Sequence, residues 1–448
     1  MSEFNSSLAE TKLVMSSDMA DQSLSPNARR AVVASTVGTV IEWYDYAIYG
    51  AASGLVINKL FFSSLSPAAG VLAAFATFAV GFFVRPLGGI GIAHIGDRFG
   101  RKPALMLTII LMAAATVGMG LLPTYQQVGL LAPILLVFLR LVQGLGAGAE
   151  LAGAITIVAE YAPPNRRCFY TAIPSAATVI GILMASLAFL TVSYVPEETL
   201  LGWAWRIPFL FSGVLFLVAV YIRQHLNETP EYVEAMEKAK MRRESQAVPI
   251  GELFRKSPRE LLFGFLSVTG HNANAYILSA FALSYMTNTL GMARSDGLIV
   301  VVISSICGFF GVLLFGRLAD RIGSAQVYMI GAAAVIILAF PMFALFETKN
   351  VLYCAIGMGL CYTIGYGAMA GGQGAFLANL FPTKYRFTGI AMSRELSGLA
   401  LAGPTPFIAA SLVEYSNGKP TLVAIYLIVC SIVTIAAVLA GRRLSVHT

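Results

Sequence analysis

The sequence predicts an all-α integral membrane protein: twelve transmembrane helices in two pseudo-symmetric six-helix halves. Three observations carry that reading. The first is composition. Of 448 residues, 57% are hydrophobic and 12% charged, with a mean hydropathy of +0.75, whereas a soluble domain carries about 25% charge. The second is a charged hairpin, Gly96-Asp97-Arg98-Phe99-Gly100-Arg101-Lys102, set between two long apolar stretches. A degraded copy, Ala319-Asp320-Arg321-Ile322-Gly323-Ser324, sits between two others, with the aspartates 223 residues apart. The third is a proline-marked basic turn. Glu160-Tyr161-Ala162-Pro163-Pro164-Asn165-Arg166-Arg167 is matched by Asn379-Leu380-Phe381-Pro382-Thr383-Lys384-Tyr385-Arg386, with Pro163 and Pro382 219 residues apart. Two landmarks at nearly one offset imply a six-plus-six repeat, and two such halves can rock about a site between them.

A spanning helix needs roughly 20 apolar residues. The first three stretches that meet this are 31–58, 68–95 and 104–122, the last two flanking the hairpin. The next, 131–160, ends at the first proline turn, 169–193 follows it, and 205–225 opens on Trp205-Arg206-Ile207-Pro208-Phe209. The charged stretch 226–259 reads as a cytoplasmic linker. The second half repeats the scheme: 260–286, then 295–316 and 326–346 about the copied hairpin, 351–380 up to the second proline turn, 389–414, and 421–441 before Arg442-Arg443. The expected organisation is a disordered tail over 1–28, a bundle over 29–225, the linker 226–259, a bundle over 260–441 and a tail over 442–448.

Placement of Lys and Arg tests the count. With both termini cytoplasmic, 22 of the 30 basic residues fall on the cytoplasmic side. Five (Lys59, Arg206, Arg294, Lys349, Lys419) fall opposite, and Arg85, Arg140 and Arg394 lie within the membrane. That is the positive-inside pattern. It accounts for the +7 net charge through an anionic inner leaflet, with no nucleic-acid partner. Arg206, beside Trp203 and Trp205, reads as an interfacial anchor. The tail 1–28 is polar and Ser-rich without an apolar core, unlike a secretory signal. The five cysteines show no CxxC spacing and read as small core residues, with no disulfide framework or metal site. No HExxH, Walker or GxSxG run supports catalysis, so no enzyme and no catalytic residue is expected.

Several runs taken together resemble the major facilitator superfamily, and within it the bacterial metabolite:proton symporters. They are Glu42-Trp43-Tyr44-Asp45 with Tyr49-Gly50, Arg85-Pro86-Leu87-Gly88-Gly89, the hairpin, Arg140-Leu141-Val142-Gln143-Gly144 followed by Glu150, and Trp205-Arg206-Ile207-Pro208-Phe209. The resemblance covers about 29–441. It implies transport by alternating access in the bacterial inner membrane, driven by the proton gradient without a cofactor. Relatives of this kind include permeases for shikimate, α-ketoglutarate, citrate, and proline or betaine. Departures fall at Ala93, where the superfamily hairpin usually begins with Gly, and at Gly148-Ala149-Glu150-Leu151, in place of a Gly-Gly-Glu-Trp-like run. The fifth span lacks a Gly-rich run, and Arg394-Glu395 stand where relatives carry uncharged residues. The missing Gly-Pro-rich pattern in the fifth span also argues against a proton-linked drug exporter.

Charge at the bilayer centre costs about 2.5–3.5 kcal/mol or more, so each ionisable residue there needs a partner or a wet cavity. On the first span Glu42, Asp45, Tyr46, Tyr49 and Ser53 fall within a sector of about 100°. This stripe reads as a polar seam or as a proton site with aromatic substrate contacts, with Asp45, Glu42 and Glu150 as the proton-coupling candidates. Burial disfavours the carboxylate ion and a nearby guanidinium favours it, so a moving substrate or arginine can switch such a group. Arg140, Gln143 and Glu150 share a face of the fourth span. They are either an internal ion pair or a grip for a substrate carboxylate, which a guanidinium meets with two parallel hydrogen bonds. Arg85, about 18 Å from Asp97 by helical rise, lies too deep to snorkel. The expected binding residues are Arg85, Arg140, Tyr46, Tyr49, Gln143, His271, Asn274, Tyr362, Tyr366 and Gln373, with His271 and Asn274 on one face of the seventh span and Asn272 and Tyr276 on another. Asp97, Arg98, Arg101, Asp320, Arg321, Arg394 and Glu395 are expected to form a cytoplasmic gate. The expectation is symport of a small organic acid (shikimate-like, aromatic, di- or tricarboxylic) by a monomer in the lipid bilayer. A zwitterion such as proline or betaine is the alternative substrate.

Overall fold

The computed structural model describes residues 26–99, 101–147, 150–225, 250–382 and 386–444. Among these, every regular element is helical, and the helices line up as twelve rods. In the first half, α1 is Pro26–Ala52, continued through a widened π turn (Ser53–Ile57) to Asn58–Phe61. It is followed by α2 (Pro67–Phe99), α3 (Arg101–Leu121) and α4, in two pieces (Leu131–Gly146 and Glu150–Tyr161). Next come α5 (Arg167–Ser193) and α6, whose opening Glu197–Ala204 meets Arg206–Tyr221 at 41°. In the second half, α7 starts as Pro258–Tyr276 and runs through two π turns to Thr289. Then follow α8 (Arg294–Ile322), α9 (Ser324–Glu347), α10 (Val351–Leu360 through a π turn to Gly367–Leu380), α11 (Arg386–Ser397, a π turn Gly398–Ala402, then Thr405–Tyr415) and α12 (Thr421–Gly441).

Seven described helices are long and apolar enough to cross a membrane unaided, or eight with the bent α6 counted as one span. Among the described residues, α1 and α7 carry polar residues in mid-span, and α3 and α4 offer the shorter apolar helices Met106–Leu121 and Leu131–Gly146. Part of the expected linker, 226–249, lies outside the described residues, as do the tails 1–25 and 445–448. The rest of the linker forms a seven-residue helix, Ile250–Lys256, that buries Leu253.

The repeat is visible in the packing. α2 packs on α4 as α8 packs on α10, α3 on α6 as α9 on α12, and α1 on α5 as α7 on α11. Both α2–α4 and α8–α10 cross backbone to backbone at glycines. A Cβ on Gly144 would lie 2.1 Å from the Gly81 carbonyl oxygen, and one on Gly371 2.7 Å from the Gly316 nitrogen. Small residues admit this approach, and lipid-embedded helices gain their association energy from such close packing.

The halves meet at two seams. At one end of the bundle, Asp320 at the end of α8 caps the first turn of α5. Its Oδ1 accepts from the Cys168 N–H at 2.7 Å and its Oδ2 from the Phe169 N–H at 3.1 Å. A carboxylate here meets two donors that no helical carbonyl can reach, at the positive end of the helix dipole. Arg317 lies over the Phe169 ring at 4.8 Å, and Arg167 donates to Asn379 at 3.1 Å. Arg321 is exposed. The side chains of Asp97, Arg98 and Arg101, expected in the same gate, lie outside the described residues. At the opposite face Asn288 donates to the Gly54 carbonyl at 2.6 Å, and Arg294 donates to the carbonyls of Ser193 and Val195 at 3.0 and 2.6 Å.

Two outcomes follow from this packing. Gly144→Ala forces α2 and α4 apart, a strain typically worth about 1–3 kcal/mol. Purified protein should melt at a lower temperature than wild type, and an unchanged melting point would show that the crossing relaxes freely. Asp320→Ala uncovers two backbone donors and loosens the seam. In a background where Cys168 is the sole cysteine, a membrane-impermeant maleimide should then label it faster, and equal labelling rates would show that the carboxylate does not hold the halves together there.

Candidate functional site

Between the seams lies a cavity walled by both halves. α1 contributes Glu42 and Trp43, α2 Phe82 and Arg85, α5 Ser175 and Thr178, and α10 Tyr366. From α7 come Val268, His271, Asn272, Ala275 and Tyr276, and from α11 Arg394 and Glu395. The α7 set is spaced i, i+3, i+4, i+7, i+8, which makes one continuous helical face.

Arg85 dominates the electrostatics. Its Nε donates to Glu395 Oε2 at 3.2 Å and its Nη2 to Glu395 Oε1 at 3.3 Å. This two-point fork runs from the first half to the second. Nη2 also meets Glu42 Oε1 at 3.5 Å. The rings of Tyr46 and Phe82 flank the guanidinium at 5.2 and 5.4 Å, close enough for cation–π attraction. Only 13% of the Arg85 side chain and 15% of that of Glu395 are accessible, so the pair sits in the cavity wall, apart from bulk water.

The other two intramembrane arginines are held differently. Arg140 is fully buried. It donates to the carbonyls of Thr77 and Phe78 and to Gln143 Oε1, and lies 4.1 Å from the Tyr49 ring centroid. Gln143 passes the contact to Thr116 at 2.8 Å. Thr116 in turn donates to the Met112 carbonyl at 3.0 Å. Asp45 accepts from Ser212 at 2.6 Å. Arg394 donates to Gln373, Gln373 to the Tyr328 hydroxyl at 2.8 Å, and Tyr328 to the Ser267 carbonyl at 2.8 Å. Each half therefore runs a chain from an arginine through a glutamine and a hydroxyl to a backbone carbonyl.

Of the residues expected to bind substrate, Arg85, His271 and Tyr366 line the cavity. His271 stacks on Tyr366 at 4.9 Å, and the Tyr366 hydroxyl meets Thr178 of the other half at 2.9 Å. Tyr46 lies under Arg85 and borders a smaller adjoining cavity. Arg140, Tyr49, Gln143, Asn274, Tyr362 and Gln373 stand behind the wall, buried within their own bundles. Among the acids expected to carry the proton, Glu42 faces the cavity, whereas Asp45, 1% exposed, points between α1, α3 and α6. The side chain of Glu150 lies outside the described residues.

Arg394 and Glu395, expected in a cytoplasmic gate, line the central cavity. Their helix starts at Arg386, three residues earlier than expected, which puts Arg394 about 12 Å along its axis from that start. Residues not expected in the site are the aromatic wall of Trp43, Phe82 and Tyr276, with ring centroids 5.5–6.0 Å apart, and Thr178. The 268/271/272/275/276 stripe is the signal that places Tyr276 there. Among the described residues no three His, Cys, Asp or Glu side chains converge as metal ligands would.

Comparison with known proteins agrees with this architecture. The family model described as Major Facilitator Superfamily matches residues 35–404. The shikimate transporter of Escherichia coli (strain K12) is 37% identical over 417 residues, covering 92% of this chain and 94% of that one. The proline/betaine transporter of the same strain is 32% identical over 411 residues, covering 90% of this chain and 81% of its own. Among solved structures, the D-xylose–proton symporter superposes with a TM-score of 0.69 at 18% identity, covering 93% of this chain and 98% of that one, a likeness of fold. Its twelve paired helices and these matches together show that the chain belongs to the major facilitator superfamily of transporters.

Proposed function

We propose that this secondary transporter takes up a small organic acid together with protons, by alternating access, across the bacterial inner membrane, with both termini in the cytoplasm. The observation that carries the reading is the Arg85 fork in a cavity between the halves, engaged with a carboxylate at two nitrogens. A guanidinium in this setting matches a carboxylate by geometry as well as charge. The surrounding hydroxyls, amide and aromatic faces of Thr178, Tyr366, Asn272, Trp43 and Tyr276 suit a polar, ring-sized body. Similarity to a shikimate transporter supports the same class. Arg140 acts in support, locked to carbonyls of α2. Glu42, facing the cavity, and Asp45, buried against Ser212, are the acids proposed to exchange protons. The gradient supplies the energy, no cofactor takes part, and the working unit is a monomer.

A zwitterion is the second reading. It is favoured by the equal number of acids and arginines among the described cavity residues, two of each, and by similarity to a proline/betaine transporter.

Uptake into proteoliposomes separates the two. With an inward proton gradient, a panel of organic acids and betaines should show concentrative, protonophore-sensitive uptake of an acid. Arg85→Lys should weaken its binding roughly ten- to hundredfold, because Lys forfeits the planar two-point contact worth about 1.5–3 kcal/mol. Wild-type affinity in Arg85→Lys, or accumulation of betaines alone, would remove the organic-acid reading.

A further inference from the structure

The acid on Arg85 belongs to the protein itself. Glu395 meets the guanidinium through both carboxylate oxygens, the geometry a bound carboxylate would use. It comes from the opposite half, on α11, and it lines the same cavity. Glu42 touches Arg85 once, at 3.5 Å. Among the described residues, the hydrogen-bond donors to Glu395 are the two Arg85 nitrogens.

Resting on the organic-acid reading above, we propose that Glu395 is a resident stand-in for substrate: an incoming monocarboxylate displaces it from Arg85, and the released Glu395 takes up one proton. The exchange balances. The Glu395 oxygens leave both Arg85 nitrogens, the substrate carboxylate takes them, and one proton from the water on the entry side forms an O–H bond on Glu395. A carboxylate left in the cavity wall without its donors is costly as an ion, so neutralisation accompanies release. The groups facing it are Glu42 and Tyr46 from α1, Arg85 from α2, His271 and Tyr276 from α7, Tyr366 from α10 and Arg394 on its own helix. Arg394 is already engaged with Gln373.

Once one cavity carboxylate is released and neutralised, the charge count fits a monoanion. The described cavity residues hold two arginines and two glutamates. One monoanion with one proton preserves that balance across the exchange, while a dicarboxylate leaves an uncompensated charge. The class is therefore a monocarboxylate, moved with one proton.

The test uses purified protein in weakly buffered detergent, with shikimate, benzoate, succinate and glycine betaine as probes. Wild type should take up about one proton per monocarboxylate bound, and its affinity should fall as pH rises, because binding is linked to proton uptake. In Glu395→Gln the competitor is gone. Binding should tighten roughly tenfold at neutral pH, the scale of one charge-assisted hydrogen bond, lose its pH dependence and take up no proton. Glu395→Asp, one methylene shorter, should give intermediate affinity with the proton retained, and melting curves report whether each variant is folded. Weaker acid binding in Glu395→Gln, or proton uptake that persists in it, overturns the inference while leaving organic-acid transport standing. Binding of betaine alone removes both.

Discussion

A guanidinium at the depth of the hydrocarbon core has little water to fall back on, and the interior of this protein is organised by where its three intramembrane arginines, Arg85, Arg140 and Arg394, find partners. The physical demand is the same for each, since an unpaired charge at that depth is costly. The solutions differ. Arg140 is held by carbonyls and ring faces of its own half. Arg394 leans on Gln373 of its own half. Arg85 alone is held by side chains from both halves. The first two arrangements survive any motion of one bundle against the other. The third ties the bundles together.

The two halves are alike in path and unlike in chemistry. Gln143 of α4 and Gln373 of α10 occupy matching places, each linking an arginine to a hydroxyl of the third helix of its half. In the first half that hydroxyl is a threonine, which hands on to the Met112 carbonyl. In the second it is a tyrosine, which hands on to the Ser267 carbonyl. The two scaffolds share the geometry of the chain while the side chains along it differ.

Much of this was legible in the chain. Long apolar runs and matched hairpins placed all twelve helices, because the bilayer imposes a length and the repeat imposes a spacing. The depth of Arg85 was legible by counting turns from Asp97. The pairing of Arg85 with Glu395 was not, because the two lie 310 positions apart in sequence. The first-helix stripe misled in another way. A sector of about 100° is wide enough to border two neighbours. Glu42 and Tyr46 turn to the cavity region while Asp45 turns into its own bundle. Angle around one helix tells which residues are neighbours on it, and the choice between wall and interior belongs to the helices packed around it.

The glycine crossings of α2 on α4 and α8 on α10 bear on mechanics. Backbone against backbone leaves no side chain that could rotate to absorb sliding, so these crossings are stiff. The seams between halves are soft by comparison, made of a few hydrogen bonds that water can replace. A load applied at the cavity cannot be dissipated inside a bundle built this way. It is passed on to the seams, as a rigid arm carries force to its hinge.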